Sequence, residues 1–232
     1  QQLRAALEGA PQPLVLSVHR DADTPAWADD LQGVAEELER AVPGAVKLER
    51  GSPSEVPACP ALSMACGPQG RICYLALPEG PEEEPFVEAL IALSAAAAPG
   101  ASPVVASPAA EVVVFIAGAC EHCPGAVRAA TSLVRGGPAR VTVVDAQRFP
   151  DLARAAGAVS VPLTVVDGEL AIQGVLSADD LAERIATRDP STRRLEVLRA
   201  HIESGRLEEA AAAVGSGAGP QLAILWLAST TA

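Results

Sequence analysis

The sequence predicts an α/β protein in which one order of strands and helices occurs twice, followed by a small helical segment. Short apolar runs alternate with amphipathic stretches of helix length. The order strand, helix, strand, helix, strand, strand, helix is clear in residues 111–188 and fainter in residues 1–98. The length of 232 residues exceeds one domain of ~100 to 150 and suits two small folds with an appendage. Each copy should form a mixed central sheet flanked by helices.

In the first copy, residues 1–98, the apolar runs predict four strands and two helices. The strands are expected at 14–18, 45–48, 61–65 and 72–77, and the helices at about 25–41 and from about 81 onward. Gly67 to Gly70 is the turn between the last two strands. Phe86, Leu90 and Leu93 form the apolar stripe of the closing helix. The acidic run at 82–84 fits its first turn, with a docking patch as the alternative.

In the second copy, residues 111–188, the same reasoning predicts four strands and three helices. The strands are expected at 111–116, 141–144, 163–166 and 170–172, and the helices at about 124–135, at about 150–156 and after Ser177. Asp167 and Gly168 form a hairpin turn signal between the last two strands. Ser177 caps the last helix, whose Leu181 and Ile185 face one way.

Two further segments complete the organisation. Residues 99–110 are rich in Pro and Ala and should link the two copies. Residues 189–232 contain three short helical patterns, and the last of them includes Trp226 in an apolar run. This helical tail could pack on itself as a small module, or it could offer a docking surface to a partner or a second copy.

The segment with the clearest chemistry is Cys120-Glu121-His122-Cys123-Pro124, where a strand passes into a helix. Unpaired N–H groups and the helix dipole stabilise a thiolate at a helix N-terminus, which makes Cys120 the attacking sulfur. Cys123 lies about one helical turn further on and can resolve a mixed disulfide. A protonated His122 would lower the pKa of Cys120, and an ionised Glu121 would raise it.

Two other interpretations of this cysteine pair stay open. A CxxC segment is also half of a zinc site, but no second cysteine pair or suitably spaced histidine pair follows Cys123. The pair could also be a purely structural disulfide. We expect no metal and no cofactor other than the redox-active disulfide itself.

With its CxxC-Pro segment and its Val-Pro before the third strand, the segment from Glu111 to about Arg188 resembles thioredoxin and glutaredoxin domains. The resemblance implies that Pro162 is a cis proline beside the dithiol, whereas the dipeptide alone fits an ordinary proline at a strand entry. It also implies that the Val161 backbone binds an extended peptide. The predicted substrate contacts are Glu121, His122, Pro124, Val161 and Pro162.

The tandem arrangement resembles the N-terminal region of the alkyl hydroperoxide reductase flavoprotein subunit and related protein disulfide oxidoreductases. The first copy has Asp21-Ala22-Asp23-Thr24-Pro25 where the second has its dithiol. In that family the dithiol passes electrons from a flavin domain to a peroxiredoxin. This sequence has no dinucleotide-binding fingerprint. The implied partners are therefore a disulfide-containing protein such as a peroxiredoxin, and an external reductase or glutathione as electron donor.

The first copy holds three more cysteines, Cys59, Cys66 and Cys73. If the hairpin turn centres on residues 69 and 70, Cys66 and Cys73 face each other and could form a cross-strand disulfide. Alternatively, both are small buried apolar residues. Cys59 precedes Pro60, which matches Pro162, and could be a half-exposed thiol. Their spacing fits no usual zinc pattern.

Composition excludes several functions. A net charge of -12 makes nucleic acid and anionic membranes poor partners. No apolar stretch approaches the ~20 residues that span a bilayer, and we expect a cytoplasmic protein.

The strand before the dithiol, residues 112–116, is entirely apolar, which leaves no carboxylate there to take a proton from Cys123. Two function classes follow: a thiol-disulfide oxidoreductase, and a non-catalytic interaction or redox-sensing adaptor.

Overall fold

The structure, a computed structural model, describes residues 2–67, 70–97, 110–135 and 139–188. The strands are β1 (Leu14–His19), β2 (Val46–Gly51), β3 (Ala61–Ala65), β4 (Arg71–Leu75), β5 (Glu111–Ile116), β6 (Arg140–Asp145), β7 (Leu163–Val166) and β8 (Leu170–Gln173). The helices are α1 (Gln2–Glu8), α2 (Trp27–Ala41), α3 (Glu83–Ala96), α4 (Cys123–Ser132), α5 (Pro150–Ala155) and α6 (Ala178–Ala186). The predicted tail 189–232 and all but the last residue of the linker 99–110 lie outside the described residues.

All predicted strands and helices of the two copies are present, with small changes at their ends. Helix α2 begins at Trp27, two positions later than expected, and β4 ends at Leu75. The fourth helix ends at Ser132 and continues as a 3-10 turn, Leu133–Arg135. Helix α1 was not predicted. Among the described residues, no helix has the length and apolar character needed to span a bilayer.

The two copies share a single mixed sheet. Its strand order is β2-β1-β3-β4-β6-β5-β7-β8, so each copy contributes its strands in the same spatial sequence. The copies join where β4 runs parallel to β6. Only β3 and β7 run against the other strands. Strands β1 and β5 therefore run in the same direction, and the loops that follow them lie along the same edge of the sheet, where these strands end.

Helices cover both faces of the sheet, and an apolar cluster is buried on each face. Helices α1, α2, α3, α4 and α6 send apolar side chains into one large cluster on one face, including Leu7, Leu31, Leu90, Val127 and Leu181. A smaller cluster on the other face lies under α5 and contains Phe115, Val144, Ala153 and Leu163. The described residues up to Ala186 form one compact unit as a result.

The Cys66–Cys73 disulfide, one of the two alternatives for these cysteines, does not form, because the hairpin has a different register. Met64 lies opposite Ile72, and Ser63 lies opposite Cys73. This register differs by three positions from the one that would place the two thiols opposite each other, and alternation puts them on opposite faces of the sheet. Both are free and buried, as the alternative predicted. Cys66 belongs to the larger cluster and Cys73 to the smaller one.

Candidate active site at the Cys120–Cys123 disulfide

A disulfide joins Cys120 and Cys123, whose Cα atoms are 5.4 Å apart. Strand β5 is buried on both sides near its end and holds the start of the loop in place. The Cys120 N–H donates to the Ala117 carbonyl at 3.0 Å, which closes a tight turn before α4. The strand, turn and helix thus bring both sulfurs together at the N-terminus of α4, where the sequence predicted them.

The two sulfurs differ in their access to solvent. Cys120 is half-buried, whereas Cys123 is fully buried at 0 % exposure. The Cys123 N–H also donates to the Cys120 sulfur at 3.1 Å. Such a bond stabilises a thiolate on Cys120 once the disulfide is reduced. The geometry therefore fits the predicted roles, with Cys120 outside and Cys123 inside.

The three residues around the sulfurs occupy different environments. Glu121 and His122 are exposed, so both side chains can meet a partner. Pro124 is buried in the first turn of α4, where a missing N–H has no consequence for the helix.

Val161 and Pro162 lie at the same sheet edge as the dithiol. Leu163, the next residue, is opposite Phe115 of β5, so the antiparallel register brings residues 161–162 beside the loop after Ile116. The Val161–Pro162 peptide bond is cis. The Pro162 carbonyl accepts hydrogen bonds from the Gly174 N–H at 3.0 Å and the Gln173 side chain at 2.9 Å. No described residue bonds to the Val161 backbone.

Two exposed apolar side chains flank this edge. Val159 is 96 % exposed and Val175 is 46 % exposed, and they are the large exposed apolar residues of the described chain. Val175 lies against the start of α4, since a Cβ on Gly125 would be 3.1 Å from its Cγ1 atom. Val175 and the half-buried Val161 therefore contribute apolar surface near the start of α4.

Sequence reasoning missed one residue, Glu82. It was assigned to an acidic first helical turn, but it ends a 3-10 turn, Gly80–Glu82, and is only 3 % exposed. This turn packs against α4, the helix that begins with Cys123. Neither carboxylate oxygen has a hydrogen-bond partner among the described residues. Burial raises the pKa of Glu82 to about 7, although the nearby Arg128 charge acts in the opposite direction.

Nothing in the sequence distinguishes Glu82 from its two acidic neighbours. Glu83 and Glu84 follow it in a run of three, and both are exposed. Its burial depends on the contact between the first copy and α4 of the second. Arg128 of α4 strengthens this contact through hydrogen bonds to Glu84 at 2.5 Å and Glu88 at 2.7 Å.

The corresponding part of the first copy carries no dithiol. Thr24 accepts a hydrogen bond from the Asp21 N–H at 2.9 Å, and the Cys59–Pro60 peptide bond is cis. Cys59 is half-buried, as expected. Burial, and secondarily the Asp21 charge, raise the pKa of the Cys59 thiol. Among the described residues, no three His, Cys, Asp or Glu side chains are grouped to hold a metal ion.

Comparison with known proteins identifies the fold. Residues 110–186 match the thioredoxin domain family. The NTD_N/C domain of alkylhydroperoxide reductase AhpF from Enterococcus faecalis is 20 % identical, with a TM-score of 0.64 over 80 % of this chain and 96 % of that chain. A protein disulfide oxidoreductase from Aeropyrum pernix is 21 % identical, with a TM-score of 0.60 over 79 % of this chain and 89 % of that chain. No curated protein matches the chain. Residues 110–186 thus match the thioredoxin domain family, and the two copies together have a tandem thioredoxin-like fold.

Proposed function

We propose that the chain is a thiol-disulfide oxidoreductase that reduces or exchanges the disulfides of a partner protein. The observation that carries this proposal is the pair formed by a half-buried Cys120 and a fully buried Cys123 at the start of α4. A structural disulfide needs no such difference, but a catalytic pair needs one accessible sulfur and one protected sulfur.

The proposed reaction has two exchange steps. The reduced Cys120 thiolate attacks a partner disulfide, forming a mixed disulfide and releasing one partner thiolate. Cys123 then loses its proton and attacks the Cys120 sulfur, which restores the Cys120–Cys123 disulfide and releases the second partner thiol. Two electrons from an external reductase or glutathione reduce the pair again. The cytoplasm suits this cycle because such donors keep dithiols reduced there.

The second step requires a proton acceptor near a thiol that is fully buried. We propose Glu82, because it is buried, lies on the turn that contacts α4, and has a pKa of about 7. A group with this pKa exchanges its proton readily near neutral pH. It would supply the carboxylate that the apolar strand β5 lacks.

This proposal predicts a pH-dependent stability that Glu82→Gln removes. The folded chain holds the Glu82 proton up to about pH 7, whereas the unfolded chain loses it near pH 4.5. The free energy of unfolding should therefore fall by about 3 kcal/mol as the pH rises from 5 to 8. Denaturant unfolding of wild type and Glu82→Gln across this pH range measures the difference.

The matched control for Glu82 is its exposed neighbour Glu83. Glu83→Gln should keep the full pH dependence of the wild type. The two variants should also differ in catalysis. Only Glu82→Gln should lose the increase in the rate of mixed-disulfide resolution near pH 7. Equal pH profiles for the wild type and Glu82→Gln would exclude Glu82 as the proton acceptor.

The surface around the dithiol supports a protein partner rather than a small disulfide. Val161 and Val175 offer apolar contacts, and the unbonded Val161 backbone can pair with an extended peptide. A peroxiredoxin is a reasonable candidate, since the AhpF structure in the comparison belongs to an alkylhydroperoxide reductase. The test is whether the prereduced chain reduces a peroxiredoxin disulfide stoichiometrically, read as loss of the Cys120 and Cys123 thiols.

A further inference from the structure

A second group of reactive side chains lies in the first copy, on the face of the sheet away from the larger cluster. His19, at the end of β1, is fully buried at 0 % exposure. Its Nε2 atom is 2.8 Å from the Ser63 hydroxyl on β3, and its Nδ1 atom is 2.7 Å from the Ser52 carbonyl. Glu55 places a carboxylate oxygen 3.9 Å from the same Nδ1 atom.

These contacts fix the direction of each hydrogen bond. A carbonyl oxygen can only accept, so the His19 Nδ1 atom must carry the proton that it donates to Ser52. In the neutral imidazole, Nε2 is then an acceptor, and the Ser63 hydroxyl must donate to it. This is the arrangement of a serine nucleophile, a histidine base and a group that orients the base.

The serine borders an open cavity of about 640 Å³, whose lining includes Ser63, Glu55, Arg71, Cys73, Arg140 and Thr142. Cys73 lies opposite Ser63 on β4, and Arg71 is two positions away on the same face. Such diagonal neighbours are about 7 to 8 Å apart, within reach of an arginine side chain. Arg71 is exposed and forms no ion pair with any described residue. Its guanidinium can therefore meet a negative charge that develops beside Ser63.

We propose that Ser63 and His19 form an acyl-transfer site for small anionic esters, separate from the dithiol. The Ser63 oxygen attacks the ester carbon while its proton passes to His19 Nε2. Arg71 stabilises the resulting oxyanion. The ester C–O bond breaks, and the leaving alkoxide takes the proton from His19. Water then gives a proton to His19 and its oxygen bonds to the acyl carbon. The bond from that carbon to the Ser63 oxygen breaks, Ser63 takes the proton back from His19, and the acid leaves. Glu55 stabilises the imidazolium that forms between these steps.

The test uses a fluorophosphonate probe on the full chain, with peptide mass spectrometry to locate the label. Attack by Ser63 forms an O–P bond, breaks the P–F bond and releases fluoride. We expect one label per chain, on Ser63, and only background labelling in Ser63→Ala. His19→Gln should slow labelling by about 100-fold in protein that remains folded by circular dichroism.

Two further variants make the result specific. Ser17 lies opposite Ser63 on the neighbouring strand and is half-buried, so Ser17→Ala should label like the wild type. The double variant Cys120→Ser/Cys123→Ser should also label fully, which separates this site from the proposed redox activity. An unlabelled wild type, or equal labelling in Ser63→Ala, would overturn the proposal.

Discussion

Cys120→Ser is expected to abolish turnover of a protein disulfide, with a loss of more than about 1,000-fold. A serine hydroxyl cannot form the mixed disulfide on which both exchange steps depend, and removing a nucleophile removes the whole pathway. Cys123 is fully buried, so it cannot replace Cys120 as the attacking sulfur. The measurement is the rate of disulfide reduction with a thiol donor in excess.

Cys123→Ser should give a different result. The chain can still form a mixed disulfide through Cys120, but it cannot resolve it from within, so a covalent complex with the partner should accumulate on non-reducing gels. Cys59→Ser is the matched control, because Cys59 is also half-buried but pairs with no other cysteine. Full activity of Cys120→Ser, or strong loss in Cys59→Ser, would contradict the assignment.

The second large expected effect is a loss of stability in Gly51→Ala, where β2 lies beside His19. A Cβ atom added to Gly51 would lie 2.2 to 2.6 Å from three atoms of the His19 ring. The ring cannot move away easily, since it is buried and hydrogen-bonded to Ser52 and Ser63. Gly51→Ala should therefore lower the free energy of unfolding by about 4 kcal/mol, through overpacking and lost hydrogen bonds.

Gly33→Ala serves as the control for Gly51→Ala. Gly33 lies within α2, and a Cβ there meets nothing within 4 Å. The substitution should raise the free energy of unfolding by about 1 kcal/mol, because alanine favours the helix. Urea unfolding of both variants measures the contrast. A Gly51→Ala chain as stable as the wild type would show that His19 is not held as described.

Local patterns were sufficient to predict most of the fold. The run Val112 to Ile116 is apolar enough to form a buried strand, and Ser177 caps the last helix by bonding to the Asp180 N–H at 3.1 Å. The position of the dithiol followed from the same strand and helix. These features depend on neighbours in the chain, so periodicity and capping predict them.

The features that sequence reasoning missed depend on contacts between distant segments. The β3–β4 register is set by packing on both faces, and a shift of three positions moved Cys66 away from Cys73. Helix α1 carries no strong start signal, and Leu7 becomes apolar core only through contact with the rest of the fold. Glu82 is buried by α4 of the other copy, which its own acidic surroundings cannot indicate.

The most direct test of the central claim is the redox equilibrium of the Cys120 and Cys123 pair in defined glutathione buffers. Thiol trapping and peptide mass spectrometry would follow this pair separately from the three free cysteines, Cys59, Cys66 and Cys73. An oxidoreductase should show a reversible two-electron titration with a midpoint between about -180 and -270 mV. A pair that stays oxidised in every buffer, or never forms the disulfide, would contradict the claim and leave the dithiol without a catalytic role.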